Sequence, residues 1–176
     1  MADVLFGDFN PGGKLPITFP RSASHLPAFY NYKPTARRGY LFDDISPLYP
    51  FGYGLSYTSF EIRDVRLAKK SIQADETTHV RARITNTGER GGSEVVQLYI
   101  RDRFSSVTRP VKELKGFRRV FLEPGQTGAV RFEIGPEQLA FYDIRMERVV
   151  EAGEFEVMVG SSSRDSDLQS VILTVR

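Results

Sequence analysis

The chain has 176 residues, of which 40% are hydrophobic and 26% are charged, and its formal net charge is +2 at pH 7. This composition is ordinary for a folded globular protein, and the small basic excess is mixed with acidic residues, which does not indicate a nucleic-acid partner. The sequence has no cysteine, which excludes disulfides, thiol nucleophiles and cysteine metal sites. It also has no run of about 18 apolar residues, so we expect no membrane partner.

The composition and the hydrophobic pattern of the chain change near residue 58. Before this point the chain holds most of the prolines and many aromatic residues, with little periodicity. The opening MADVLFGDFN lacks the basic region and the apolar run of a signal peptide. The glycine-containing stretch GDFNPGG at 7–13 lacks the Lys-Ser/Thr ending of a phosphate-binding loop. We interpret it as a tight connection into the extended segment KLPITF.

Residues 47–60, PLYPFGYGLSYTSF, place aromatic residues between prolines and glycines, and we call them the aromatic loop. Proline and glycine interrupt regular structure, whereas large aromatic side chains usually seek cover. Three interpretations follow: a sugar-stacking platform, a partner interface, or a strap packed against the rest of the protein. Tyr57 and Phe60 can also plug the core of the domain that follows. The chain has no Trp, a residue often used to stack sugars.

After about Phe60, apolar and polar residues alternate in short runs separated by turn residues. Alternation with a period of 2 is typical of strands that bury one face and leave the other in water. The clearest runs are HVRARIT (79–85), EVVQLYI (94–100), AVRFEI (129–134), EFEVMVG (154–160) and SVILTVR (170–176). Since no long helix is indicated, we predict an antiparallel β-sandwich over 59–176, with a closed barrel as the alternative.

The alternation also predicts which side chains face water. In EVVQLYI we expect Gln97 and Tyr99 on the wet face, opposite Val96, Leu98 and Ile100. In EFEVMVG we expect Met158 on the wet face.

Breaks in the pattern predict local features. The apolar parity slips by one residue between Ile62 and Val65, which predicts a bulge that lets one strand serve both sheets. EPGQ at 123–126 has proline followed by glycine, as a type II turn requires. Pro136 in GPEQLA is placed to begin one helical turn.

The titratable residues indicate no chemical centre. Asp43 and Asp44 are neighbours whose side chains point different ways, so we interpret them as solvated loop charges or a local cap. His25 and His79 lie far apart in the sequence, and no Asp/Glu/His spacing resembles a metal site. We therefore expect no metal and a surface position for His79.

One cluster of cations stands out between residues 101 and 119. It is either a face that binds polyanions, with steep salt dependence, or a solvated sheet face on which arginine stems cover their neighbours. We favour the sheet face. The members are Arg101, Arg103, Arg109, Lys112, Lys115, Arg118 and Arg119.

Three stretches resemble the C-terminal end of glycoside hydrolase family 3 enzymes, most closely the bacterial β-glucosidases. They are ADVLFGDFNPGGKLPITFPRS (2–22), LYPFGYGLSYTSF (48–60) and RPVKELKGFRRVFLEPGQT (109–127). The resemblance covers nearly the whole chain, in order and with family-like spacing. It implies that residues 1–20 end an α/β sandwich domain, that 21–58 are a linker and that 59–176 are a fibronectin type III-like domain. The predicted fold class is thus all-β: an antiparallel immunoglobulin-like or fibronectin type III-like β-sandwich with an irregular N-terminal extension.

The resemblance also implies a reaction in which this chain takes no direct part. Family 3 enzymes hydrolyse terminal β-linked sugars with retention, which needs two carboxyl groups about 5–5.5 Å apart. In the family these groups belong to an Asp of the barrel and a Glu of the α/β sandwich, and no position of this sequence matches either motif. The resemblance therefore implies a non-catalytic module with no cofactor, from a periplasmic or secreted parent whose signal is not in this chain.

For the aromatic loop, the resemblance favours an inter-domain strap. Tyr49, Phe51, Tyr53 and Tyr57 would dock on the catalytic domains of the same enzyme. The alternatives are a carbohydrate-binding module with its own glycan contact, or an interaction module that self-associates. We further expect residues 1–20 to be disordered, to lie across the sandwich, or to pair with a neighbouring molecule.

Overall fold

The strands of the protein lie between Phe60 and Val175 in the computed structural model, which describes residues 1–34 and 42–176. Two short α-helices, α1 (Ala2–Phe6) and α2 (Pro136–Leu139), and two 3₁₀ turns (Ala23–His25 and Asp165–Asp167) complete the regular structure of these residues. The strands in chain order are β1 Phe60–Leu67, β2 Ser71–Ile72, β3 Thr78–Asn86, β4 Gly92–Asp102, β5 Glu113–Leu122, β6 Thr127–Ile134, β7 Phe141–Tyr142, β8 Arg148–Val149, β9 Gly153–Gly160 and β10 Leu168–Val175.

The long strands form two open sheets. One has the order β1-β3-β6, and the other has the order β2-β10-β9-β4-β5. Neighbouring strands are antiparallel except β2 and β10, which pair in parallel. Strands β7 and β8 make a separate small hairpin. The predicted all-β sandwich is confirmed, and the closed barrel is wrong.

The core lies between the two sheets. Strand β3 contributes Val80, Ala82 and Ile84 from alternate positions, which face Leu98 of β4 and Val157 of β9 in one apolar cluster. Fully burying an aliphatic side chain of this size contributes about 1.5–3 kcal/mol. The predicted alternation is confirmed in β3 and β6, whose outward positions are exposed or half-buried.

The alternation prediction is wrong for β4, because both faces of this strand are buried. Gln97 and Tyr99, which we expected in water, are 3% and 0% exposed. Met158 of β9 was also expected in water and is 5% exposed. The physical reason is a third layer, since the N-terminal part of the chain lies over the outer face of the five-stranded sheet.

The predicted breaks fall where expected, with one correction. The pairing of β1 with β3 shifts between Arg63 and Arg66, and Asp64 has a φ of 57°, so the bulge is confirmed. However, β1 pairs with β3 alone among the described strands and does not serve both sheets. Gly125 has the positive φ, 72°, of the predicted turn, and α2 begins at Pro136.

Candidate docking surface

The aromatic loop runs antiparallel to the N-terminal segment and exchanges backbone hydrogen bonds with it. The Leu15 N–H donates to the Tyr53 carbonyl, and the Gly52 N–H donates to the Leu15 carbonyl, both at 2.8 Å. Further along, the Phe19 N–H donates to the Tyr49 carbonyl at 2.8 Å. We call the described residues 1–34 and 42–58 the N-terminal layer. Its backbone is ordered by these bonds although it contains almost no regular secondary structure.

Gln97 of β4 fixes the aromatic loop to the sheet. Its side-chain amide donates to the carbonyls of Gly52 and Ser161 at 3.0 and 2.7 Å. The Tyr99 hydroxyl donates to the Gln97 side-chain oxygen at 2.5 Å, and burial raises the pKa of Tyr99, which keeps this donor neutral. Gly52 has a φ of 77°, and a Cβ there would lie 2.1 Å from the Gln97 side-chain oxygen. Only glycine fits at this position without strain.

Two further contacts attach the N-terminal segment to the sandwich. The Lys14 ammonium lies 2.6 Å from the Glu94 carboxylate, with both side chains largely buried. Asn10 donates to the Gly91 carbonyl at 3.0 Å and accepts from the Tyr57 N–H at 2.8 Å. Of the three outcomes that we considered for residues 1–20, the structure has them lying across the sandwich.

The four predicted docking rings divide into two inner and two outer rings. Phe51 stacks on Tyr30 with centroids 4.3 Å apart, and Tyr30 meets Tyr99 of β4 edge-on at 5.8 Å. Tyr53 is half-buried and stacks on Tyr49 at 5.5 Å. Tyr49 and Tyr57 are 43% and 45% exposed. Phe51 and Tyr53 are therefore half-buried within the chain, whereas Tyr49 and Tyr57 are exposed.

The outer rings belong to a larger set of exposed apolar side chains. The Tyr57 hydroxyl is anchored on the Val4 carbonyl at 2.5 Å, and Tyr49 meets Phe19 edge-on at 6.4 Å, so the set spans both halves of the layer. A concentration of exposed apolar side chains on one part of a protein marks an interaction surface. The members in the N-terminal layer are Met1, Leu5, Phe6, Phe9, Ile17, Phe19, Leu26, Phe29, Phe42, Leu48, Tyr49, Leu55 and Tyr57.

The acidic pair of the linker has a local role. Asp44 accepts from the N–H and the hydroxyl of Ser46, both at 2.8 Å, and these hydrogen bonds hold the pKa of Asp44 below its usual value. This confirms the predicted local cap. Asp43 lies 2.7 Å from the Nε2 atom of His25, which is 6% exposed. Sequence reasoning missed this contact, because nothing in the sequence pairs a 3₁₀ turn with a loop 18 residues away.

The remaining histidine and the cation cluster are also accounted for by local contacts. His79 accepts a hydrogen bond from Arg131 at 3.1 Å, and desolvation lowers its pKa. Arg109 pairs with Glu113 at 2.5 Å, and Lys112 is buried with its ammonium 3.0 Å from the Ser163 carbonyl and paired with Asp165. Several cations of the cluster therefore have partners within the chain. Arg109 and Lys112, however, are largely buried in the loop before β5, so the solvated sheet face is wrong for these two.

Two kinds of site are absent from the described residues. These residues contain no group of three or more His, Cys, Asp or Glu side chains arranged to hold a metal ion. In the same residues, no helix has the length and apolar character needed to cross a membrane.

Two family models match the chain. Residues 1–57 match the glycosyl hydrolase family 3 C-terminal domain, and residues 94–163 match a fibronectin type III-like domain. The two matches correspond to the two parts of the chain that differ in sequence pattern. The first ends inside the aromatic loop, and the second lies within the sandwich.

Curated relatives give the same picture. A β-xylosidase of Formosa agariphila is 46% identical over 180 residues, covering 100% of this chain and 25% of its own length. A periplasmic β-glucosidase of Salmonella typhimurium is 44% identical, covering 93% of this chain and 23% of its own length. The chain thus spans about a quarter of the length of the curated relatives that it matches.

Solved structures extend the similarity to the fold. A β-glucosidase from Erythrobacter marinus matches 99% of this chain over 23% of its own, with a TM-score of 0.95 and 46% identity. A β-glucosidase from Listeria innocua in complex with glucose matches 99% of this chain over 25% of its own, with a TM-score of 0.92 and 38% identity.

Proposed function

The chain belongs to the C-terminal part of glycosyl hydrolase family 3, and we propose that it is a non-catalytic module that docks on and stabilises the catalytic domains of a retaining exo-β-glycosidase. Its partners are then those domains. The division into residues 1–20, 21–58 and 59–176 is part of the same proposal. The observation that carries it is the exposed apolar surface of the N-terminal layer, on a chain that spans about a quarter of its relatives.

The surface is suited to docking because its backbone is already ordered. Gln97 holds Gly52, and Asn10 holds Tyr57, so the outer rings Tyr49 and Tyr57 stand on a fixed support. An ordered surface loses little conformational entropy when a partner covers it, which strengthens binding. Aromatic side chains fixed in this way are the residues that most often dominate binding energy at protein interfaces.

The proposed division of labour follows from the reaction. Retaining hydrolysis needs a nucleophile and an acid/base carboxyl group about 5–5.5 Å apart. No residue of this chain matches the family motif of either group. The neighbouring carboxylates of Asp43 and Asp44 contact His25 and Ser46, respectively. The chain alone is therefore expected to be inactive.

Two measurements test the proposal. The chain alone, incubated with 4-nitrophenyl β-glucoside, should release no nitrophenol, and turnover that survives stringent purification would overturn the non-catalytic assignment. For docking, we join the chain behind the part of the Salmonella typhimurium relative that precedes its matching quarter; we call the product the joined enzyme. We expect Tyr49→Ala/Tyr57→Ala to lower its temperature of half-inactivation by about 4–8 °C, the loss of about two interface anchors.

The control is Tyr142→Ala, which removes a ring that is 61% exposed on the β7–β8 hairpin. It should leave the joined enzyme unchanged. In the chain alone, Tyr142→Ala should shift the unfolding temperature by less than about 1 °C, because an exposed ring contributes little to it. Tyr49→Ala/Tyr57→Ala also removes the Tyr49–Tyr53 stack and the Tyr57–Val4 hydrogen bond, so docking is measured as the fall in the joined enzyme beyond the fall in the chain alone. Equal effects of the two variants on the joined enzyme would contradict docking through the aromatic loop.

A second candidate function, independent glycan binding, has one observation in its favour. An open groove of about 1100 Å³ is lined by Tyr30 and Tyr32 of the N-terminal layer and by Lys112 and Glu156 of the sandwich. Aromatic rings beside charged groups suit sugar binding. Electrophoresis of the chain in gels containing soluble xylan or glucan tests this function, and unretarded migration counts against it.

A further inference from the structure

The outer face of β5 is covered at one end and open at the other. Near its start, the Leu114 N–H donates to the Tyr30 hydroxyl of the N-terminal layer at 3.2 Å, and Leu114 is half-buried. Further along the same face, Phe117 and Phe121 are 66% and 59% exposed. The N-terminal layer therefore ends beside these two rings and does not cover them.

The register of the sheet places both rings next to the proposed docking surface. Phe117 pairs with Gln97 and Phe121 pairs with Ser93 on β4. Gln97 carries the aromatic loop at Gly52, and a Cβ on Gly12 would lie 2.8 Å from the Ser93 carbonyl. Adjacent strands are about 4.8 Å apart, so the two rings directly border the layer.

A cation stands between the two rings. Arg119 pairs with Val95 and points to the same side of β5 as Phe117 and Phe121, because side chains alternate along a strand. It is exposed, and no carboxylate of the described residues lies within salt-bridge distance of it. Lys115 on the same strand differs, since its ammonium lies 3.5 Å from Glu113.

We propose that Phe117, Arg119 and Phe121 form a second contact surface through which the chain docks on the catalytic domains of a family 3 enzyme, against a partner patch with a carboxylate between two apolar depressions. The proposal rests on the proposed function and adds a surface and a partner chemistry to it. The two surfaces are neighbours on the outer face of the five-stranded sheet, so one partner can cover both.

The same features argue against two other occupants. Pairing of the β5 edges of two copies would bring Arg118 and Arg119 of both chains together, and like charges placed opposite each other destabilise a sheet. A neutral glycan chain has no charged group to pair with Arg119, which lies between Phe117 and Phe121 on this strand. The catalytic domains are the occupant that the charge and the position favour.

The test uses the joined enzyme in four versions: Phe117→Ala/Phe121→Ala, Arg119→Glu, the control Phe104→Ala, and Arg119→Lys. Phe104 is 76% exposed and lies in the loop after β4, where it lines a groove with Arg103 of that loop and Ile172 of β10. We expect the first two variants to lower the temperature of half-inactivation by about 4–8 °C and the control to leave it unchanged. Arg119→Lys keeps the positive charge, so it should lower the temperature of half-inactivation much less than Arg119→Glu. The unfolding temperature of the chain alone should not move in any of them.

The outcomes separate this proposal from the proposed function. If Tyr49→Ala/Tyr57→Ala weakens the joined enzyme and the β5 variants do not, the second surface is wrong and the docking module stands. If neither set has an effect, both are wrong. If the β5 variants abolish retardation of the chain alone in a xylan gel, the surface binds glycan and the proposal is overturned.

A measurement in trans covers the case in which a joined variant does not fold. The chain is immobilised, and the separately purified remainder of the Salmonella typhimurium relative is titrated over it. Phe117→Ala/Phe121→Ala and Arg119→Glu should each raise Kd at least about tenfold, and Phe104→Ala should not change it. Equal Kd values for all versions would contradict the proposal.

Discussion

The sandwich and the N-terminal layer are held together by different interactions. In the described residues, every fully buried large hydrophobic side chain lies at Val65 or later, and the core between the sheets is built from these residues. The N-terminal layer instead relies on backbone hydrogen bonds, the Gln97 amide and the Lys14–Glu94 ion pair. The layer therefore has no core of its own, takes its position from the sheet, and leaves most of its large apolar side chains exposed, apart from inner rings such as Phe51.

The largest expected effect is the loss of free energy of unfolding when a leucine is shortened in the sandwich core, compared with the same change in the N-terminal layer. Leu98 is 1% exposed between the sheets, whereas Leu55 of the aromatic loop is 70% exposed. Leu98→Ala should lower the free energy of unfolding in urea by about 2–5 kcal/mol, because it leaves a cavity. Leu55→Ala should change it by less than about 0.5 kcal/mol. A large effect of Leu55→Ala would mean that the layer has a core after all.

The second prediction concerns the attachment of the layer. Gly52→Ala should cost about 2–4 kcal/mol, from a positive φ and a clash with Gln97. Gly13→Ala is the matched control, since a Cβ there meets nothing within 4 Å. Urea unfolding gives the total cost, and hydrogen exchange at the Leu15 amide reports whether the layer opens first. Exchange that is equally slow in both variants would contradict the role of Gly52.

The two regions also differ in how much could be predicted from the sequence. The period-2 pattern of β3 predicted its buried face, because only one side of that strand is covered. The same alternation was predicted for EVVQLYI (94–100). However, this run is apolar except at Glu94 and Gln97, and a mainly apolar run indicates a strand covered on both faces. That signal was present and was misread.

The cover itself could not be predicted from local pattern. Gln97 meets Gly52 across 45 residues, and the aromatic loop has no period that would separate the inner ring Phe51 from the outer ring Tyr49. Proline and glycine predicted a loop, but they do not say which surface a loop lies on. The family resemblance supplied the idea of a strap, whereas the structure supplied the residues that hold it.

A third prediction compares an ion pair that joins the regions with one that does not. Lys14 and Glu94 are largely buried, so Lys14→Met leaves a buried carboxylate unpaired and should cost about 2 kcal/mol. The double variant Lys14→Met/Glu94→Gln should recover most of this loss. Lys69 and Glu76, 3.2 Å apart and largely exposed, provide the control. Lys69→Met should change the free energy of unfolding by less than about 0.5 kcal/mol, and equal costs would contradict the comparison.

The smallest expected effect concerns the pKa of one carboxyl group in each region. The pKa is lowered in the N-terminal layer and raised in the sandwich. Hydrogen bonds from Ser46 lower the pKa of Asp44 below 3.8, whereas desolvation by burial raises the pKa of Asp102 above 3.8. Asp44 therefore contributes stability above about pH 3.8 that is lost as the pH falls through its lowered pKa. Asp102 has the opposite effect, since its cost is absent below about pH 3.8 and grows as the pH rises through its raised pKa. NMR titration of the two side-chain carboxyl groups measures both directions. Asp102→Asn should then stabilise the chain at pH 7 but not at pH 3, whereas Asp44→Asn should destabilise it at pH 7 only. Shifts of the same sign at both positions would remove this contrast between the sandwich and the layer.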